Sequence, residues 1–140
     1  MELTLEPTFS GYIRRAADRL QLVTACMSGT LHQIPRFPHE HELSHLARSG
    51  NIFVYSLPAT GFGQWNDGKS WIHVGYENRL RVEREHHGPD ALWKKTGSVP
   101  MRGVSHYIVS YYKVTDILDG TREGLSQSLK SQGIKCRPPP

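Results

Sequence analysis

Cysteine is scarce in these 140 residues: there are two, Cys26 and Cys136. A disulfide framework needs more cysteines in a smaller chain. Both are therefore expected to be free thiols in a reducing compartment, with Cys26, in an apolar stretch, as a small core residue. No run of about 18 apolar residues occurs, which excludes a membrane-spanning helix. The opening residues, MELTLEPTF, have neither a basic start nor an apolar stretch, so no secretory signal is expected and the reading is intracellular. Glycine patterns of the phosphate-loop or dinucleotide kind are absent, and no Ser-His-Asp spacing stands out, so neither a cofactor nor a catalytic triad is expected.

What is present fits one globular domain. The length is ordinary for a domain and lets roughly two-thirds of the open chain's surface be buried. The 37% hydrophobic and 21% charged composition is that of a globular domain rather than a fibrous or wholly disordered chain. The net charge of +4 is unevenly placed. Residues 1–60 carry five basic and five acidic side chains, whereas residues 101–140 carry six against three. A basic excess favours phosphate-rich partners through counterion release, though this one is small.

Apolar residues at 13, 16, 17, 20, 23 and 27 form the stripe of an amphipathic helix over 13–27, with Ser10 as N-cap and Gly29 as stop. A shorter helix is expected over 39–48, between Pro38 and Gly50. After Gly50 the chain turns to β character. Strands are expected at 51–55, 70–74, 79–83, 92–99 and 104–114, with a turn-rich loop at 58–63 and a short helix at 115–118. Residues 122–140, rich in Ser, Gln, Lys and Pro, are expected to be a disordered basic tail.

His41-Glu42-Leu43-Ser44-His45 matches H-E-x-x-H, in which two imidazoles on one helix face hold zinc and the Glu activates a water. Catalytic zinc needs a third protein ligand, and the candidate helix is short, so no metal site is expected. The plainer reading is a solvated helix face with Leu43 and Leu46 packing inward.

The segment 61–71 is unusual in makeup. Trp65 and Trp71 flank Asn66-Asp67-Gly68, where Gly supplies the φ > 0 that a tight hairpin turn requires. Such a hairpin would present Gln64, Asn66 and Lys69 to a groove of DNA, whose base edges carry acceptors. Alternatively, the two Trp anchor an ordinary surface hairpin. The two readings are compatible.

With these motifs in order, the chain resembles the WOPR-domain family of fungal regulators. Thr8-Phe9-Ser10-Gly11-Tyr12 matches the family's T-F-x-G-Y opening, and Ser49-Gly50-Asn51-Ile52-Phe53-Val54 its S-G-x-(V/I)-F-V strand. Residues 64–71 resemble R-W-T-D-G-x-x-W, and the strand that follows ends in Arg84-Glu85 as in the family. Lys94-Lys95-Thr96, the run from His106 to Tyr112, and residues 116–120 resemble later family motifs. The resemblance implies an α+β, predominantly β domain over 8–121, built from two interleaved β-rich halves, 8–85 and 91–121. It also implies a nuclear, non-enzymatic transcription factor that binds AT-rich double-stranded DNA through the 64–71 loop.

The residues expected to touch DNA are Gln64, Trp65, Asn66, Asp67, Lys69 and Trp71 in the loop. Arg14, Arg15, Arg48, Lys94 and Lys95 are expected to position the phosphate backbone. The chain departs from the family at several places. Gln64 stands where the family has Arg, Ile72-His73-Val74-Gly75 replaces S-P-S-R, and the paired Arg before the second helix are reduced to Arg36. These losses leave a second function open: a WOPR fold without specific DNA binding that serves as a protein-interaction module. No acidic activation segment is visible, so regulatory output would need a protein partner.

Overall fold

In the computed structural model, which describes residues 4–61 and 63–118, the β-rich stretches form six strands. They are β1 (Phe9–Ser10), β2 (Asn51–Tyr55), β3 (Ile72–Glu77), β4 (Leu80–Arg84), β5 (Leu92–Met101) and β6 (Val104–Lys113). All pair antiparallel in one sheet ordered β1-β2-β6-β5-β4-β3. The two strands of the second half thus enter the sheet between β2 and β4 of the first, and this is the interleaving that the resemblance implied. The chain beyond residue 118, including the expected tail and Cys136, lies outside the described residues.

Helix α1 (Ala16–Met27) covers one face of the sheet. Leu22, Val23 and Cys26 pack there with Phe9, Ile13, Ile52, Val54, Leu80, Val99 and Ile108. On the opposite face, Leu5, Ile34, Leu46, Phe53, Tyr55, Val109 and Tyr111 form a second cluster, joined by Trp65 and Trp71. Strand β2 is buried on both sides, Ile52 and Val54 in the first cluster and Phe53 and Tyr55 in the second. That is why it reads as a continuous apolar run rather than an alternating one.

Hairpin chemistry sets the register at two places. Asn78 and Arg79, both at positive φ (54° and 63°), join β3 to β4, and Arg102 and Gly103 (54° and 78°) join β5 to β6. Two successive positive-φ residues match the twist of the flanking strands. Gly97 suits a different constraint: a Cβ there would lie 2.5 Å from Leu80 Cδ2 on the neighbouring strand, so the buried Leu80 side chain would have to shift.

Several boundaries differ from the sequence reading. Helix α1 starts at Ala16 rather than 13, because the Asp18 carboxylate accepts from the backbone N–H of Arg14 and Arg15 (2.9 and 3.1 Å) and caps it there. Ser10 is not its cap; it pairs with Asn51 in the sheet. Gly29, at φ 80°, does close the helix. The helix expected over 39–48 is a 3-10 turn (Glu40–Glu42) followed by four-residue α2 (Leu43–Leu46). The loop expected at 58–63 contains a helical turn, α3 (Leu57–Thr60), with Pro58 in its first turn where a missing N–H costs nothing. Helix α4 (Val114–Leu118) follows β6 directly.

Candidate nucleic-acid interface

Between α3 and β3 the chain crosses the second face of the sheet without forming strands, so the segment expected as a hairpin is an irregular loop. Its turn chemistry is as expected: Gly68 takes φ 73°, and its N–H donates to Asn66 Oδ1 at 2.9 Å. What holds the loop is the buried carboxylate of Asp67, 6% exposed. Its Oδ1 accepts from Trp71 Nε1 (3.0 Å) and the Lys69 N–H (3.2 Å). Its Oδ2 accepts from Tyr111 O–H (2.6 Å) and Lys94 Nζ (3.1 Å). Tyr111 Oη in turn accepts from Trp65 Nε1 at 2.7 Å. Burial pushes the Asp67 carboxyl up, but these donors and the Lys94 charge outweigh it and hold the pKa below the ordinary carboxylate range.

The rings complete the clamp. Trp65 packs on Phe53 (5.0 Å between centroids) and Tyr55 (6.0 Å), and Lys94 Nζ sits 4.3 Å from the centre of the Trp71 ring. With Trp65, Asp67 and Trp71 turned inward, Gln64, Asn66 and Lys69 stay exposed. A rigid base therefore presents a polar tip carrying one cation.

Lys94 and Lys95, expected at the phosphate backbone, are corrected by their placement. Both are buried, at 8% and 0% exposure. As neighbours on a strand they point to opposite faces. Lys94 neutralises Asp67 under the loop. Lys95 Nζ lies on the α1 side, where it donates to Ile13 O (3.1 Å), Tyr12 Oη (3.3 Å) and Glu77 Oε1 (3.3 Å) and faces the rings of Tyr12 and Tyr112. Each ammonium is held by protein groups. Asp67 and the two Trp likewise shape the loop from below rather than from its exposed rim.

The other expected cations divide. Arg48 and Lys69 line one groove of about 410 Å³, together with Lys113, Glu85 and Asp116. Lys69 Nζ is 2.9 Å from Glu85 Oε2. Arg14 and Arg15 do not line that groove; they lie exposed before α1, where the Arg14 carbonyl accepts from Asn78 Nδ2 at 2.8 Å. Arg36 is bound to Glu42 at 2.6 and 3.0 Å. This also explains the H-E-x-x-H match: Glu42 is 3% exposed and accepts from Arg36 and from the N–H of Leu5 and His39, so it joins the N-terminal segment to the turn. His41 and His45 are exposed, and no group of three metal-ligating side chains is present among the described residues. Sequence reasoning missed Lys113 and the anchoring role of Tyr111. Lys113 ends a strand that reads only as core, and nothing local marks Tyr111 as the partner of Asp67.

The Gti1/Pac2 family model matches residues 8–87, more than half of the chain. The chain belongs to the Gti1/Pac2 family. Among relatives, the transcriptional regulator MIT1 of Saccharomyces cerevisiae is 35% identical over 126 residues, 90% of this chain and 18% of that protein. The global transcription regulator sge1 of Gibberella fujikuroi is 28% identical, covering 96% of this chain and 61% of its own length. The chain thus spans less than two-thirds of these relatives. The WOPR domain of Wor1 from Candida albicans, solved with 17-bp double-stranded DNA, superposes with a TM-score of 0.81 at 27% identity, covering 95% of both chains. The same domain with a 13-bp duplex gives 0.78 at 30% identity, covering 89% of this chain and 87% of that one. The family model ends just after β4, whereas the structural match covers 95% of this Gti1/Pac2 chain, so the likeness to the WOPR fold is not confined to the first half.

Proposed function

We propose that this protein is a nuclear transcription regulator that binds AT-rich duplex DNA through the 64–71 loop, with residues 8–121 as the DNA-binding unit. It acts by binding rather than catalysis. One observation carries the reading: on a fold matching a WOPR domain solved with DNA, an anchored loop leaves Gln64, Asn66 and Lys69 exposed. Preorganisation lowers the ordering cost of binding. The narrow minor groove of AT-rich DNA concentrates negative potential and attracts an inserted cation, the part given to Lys69. Gln64 and Asn66 supply amide donors for the A·T acceptors.

The test is fluorescence anisotropy with an AT-rich duplex and a GC-rich control across salt. Tighter AT binding that persists at physiological salt, lost in Lys69→Ala, supports the reading. Gln64→Arg, which restores the family's residue, is expected to raise the AT preference about tenfold, within the range of one good base contact. Equal, weak binding that vanishes with salt refutes it and points to the protein-interaction module.

A further inference from the structure

From the groove beside the loop we infer a second contact, resting on the reading above: Arg48, Lys69 and Lys113 form one site for a DNA backbone phosphate, and Glu85 competes with that phosphate for Lys69. The three cations come from separate parts of the chain. Arg48 follows α2, Lys69 lies in the 64–71 loop and Lys113 ends β6, yet all line the same groove of about 410 Å³.

The groups are not equally engaged. Arg48 donates through Nε to Ser44 O (3.3 Å) and pairs through one terminal nitrogen with His45 Nδ1 (3.3 Å). A guanidinium has five N–H donors in a fork suited to phosphate, so three remain without an acceptor among the described residues. Lys113 is held by its backbone, whose N–H donates to Ser49 Oγ at 2.9 Å, while its Nζ has no acceptor among the described residues. Lys69 does have one. Glu85 binds it at 2.9 Å while the other carboxylate oxygen accepts from the Leu92 N–H at 3.1 Å. Burial pushes the Glu85 carboxyl up, but the Lys69 bond and the Leu92 N–H pull it below the ordinary range, so it is charged at neutral pH.

Glu85 is thus a fixed anion occupying the Lys69 ammonium in the free protein. With Asp116, the groove holds three positive and two negative side chains. The site reads no base: it fixes the register in which the adjacent loop meets the groove. Lys69 serves both contacts and leaves Glu85 on binding.

The experiment measures duplex affinity against salt for wild type, Lys113→Ala, Arg48→Ala and Glu85→Gln, with thermal melts to verify folding. Each alanine is expected to weaken AT-rich and GC-rich duplexes by the same factor and to reduce the slope of log K against log salt by about 0.9, one released counterion. Glu85→Gln, which keeps an oxygen for Leu92, is expected to tighten both duplexes several-fold. Unchanged slopes in both alanine variants, with Gln64→Arg still raising the AT preference, overturn the phosphate site and leave the loop reading intact. Reduced slopes with no AT preference in the wild type retain the phosphate site and refute the loop. A wild type that binds neither duplex overturns both.

Discussion

Replacing Asp67 with Ala removes the one acceptor that Trp71, Tyr111 and Lys94 share, and the main loss is electrostatic. Lys94 is 8% exposed, so its ammonium would be left buried beside the Trp71 ring with no counter-charge. Breaking a buried pair by removing one partner typically costs about 3–5 kcal/mol. The orphaned Tyr111 and Trp71 donors do not add in full, because water can enter once the loop opens. For a domain of this size about 4 kcal/mol lowers Tm by roughly 10–20 °C. Asp67→Asn keeps the volume but turns an amide donor toward donors, and is expected to lose about 2–3 kcal/mol, the worth of charge-assisted hydrogen bonds. Urea unfolding followed by tryptophan emission suits the question, since Trp65 and Trp71 both belong to the network. The cycle with Lys94→Met tests the cause. Removing the stranded charge as well should recover about half of the loss, a coupling of about 2 kcal/mol. If Asp67→Ala loses under 1 kcal/mol, or Lys94→Met adds to its loss in full, the loop is not held by this carboxylate. Because the folded Asp67 pKa is depressed, its contribution is present above the ordinary carboxylate range and lost as pH falls through the folded value.

Other consequences follow from individual residues. His106 is 4% exposed with neither ring nitrogen bonded among the described residues, and burial pushes its pKa below the ordinary value of about 6.5. The unfolded chain therefore takes up a proton near pH 6.5 that the fold resists, so stability should fall as pH drops below about 6.5 and level off below the folded value. Urea midpoints at pH 7.5 and 5.5 should converge in His106→Gln relative to wild type; an unchanged difference would exclude His106 as the source. Gly97→Val places a Cβ against Leu80 and should cost about 1–3 kcal/mol by overpacking, read as a lower Tm; a melt within 1 °C of wild type would count against that contact. The Cys26 thiol, pushed by burial up to about 12, should resist alkylation at pH 8 until the chain is unfolded; in a Cys136→Ser background, rapid labelling of the folded protein would show that the α1 side opens.

The order of helix and strands was legible because each rests on local patterning: the 3.6-residue stripe of α1, the β-branched and aromatic runs of β2 and β6, and glycine at a helix stop or a tight turn. The motif 64–71 was also legible, since Trp and Asp-Gly are conspicuous and their turn chemistry is local. The start of α1 was not, because Asp18 caps it from inside the helix while Ser10 is drawn into the sheet. Nor were the roles of the charges. Lys94 and Lys95 look alike in sequence, yet alternation on β5 sends one to Asp67 and the other to Tyr12 on opposite faces. Glu42 read as part of a solvated helix face, yet it is buried because Arg36 and the Leu5 N–H hold it there. The sequence by itself determined α1, the runs that form β2 to β6 and where the distinctive loop lies, because those depend on neighbours a few residues away. Only the tertiary structure decided which cations stay in solvent. That depends on pairing between residues 27 apart, as for Asp67 and Lys94, or on groove walls brought together from Arg48, Lys69 and Lys113.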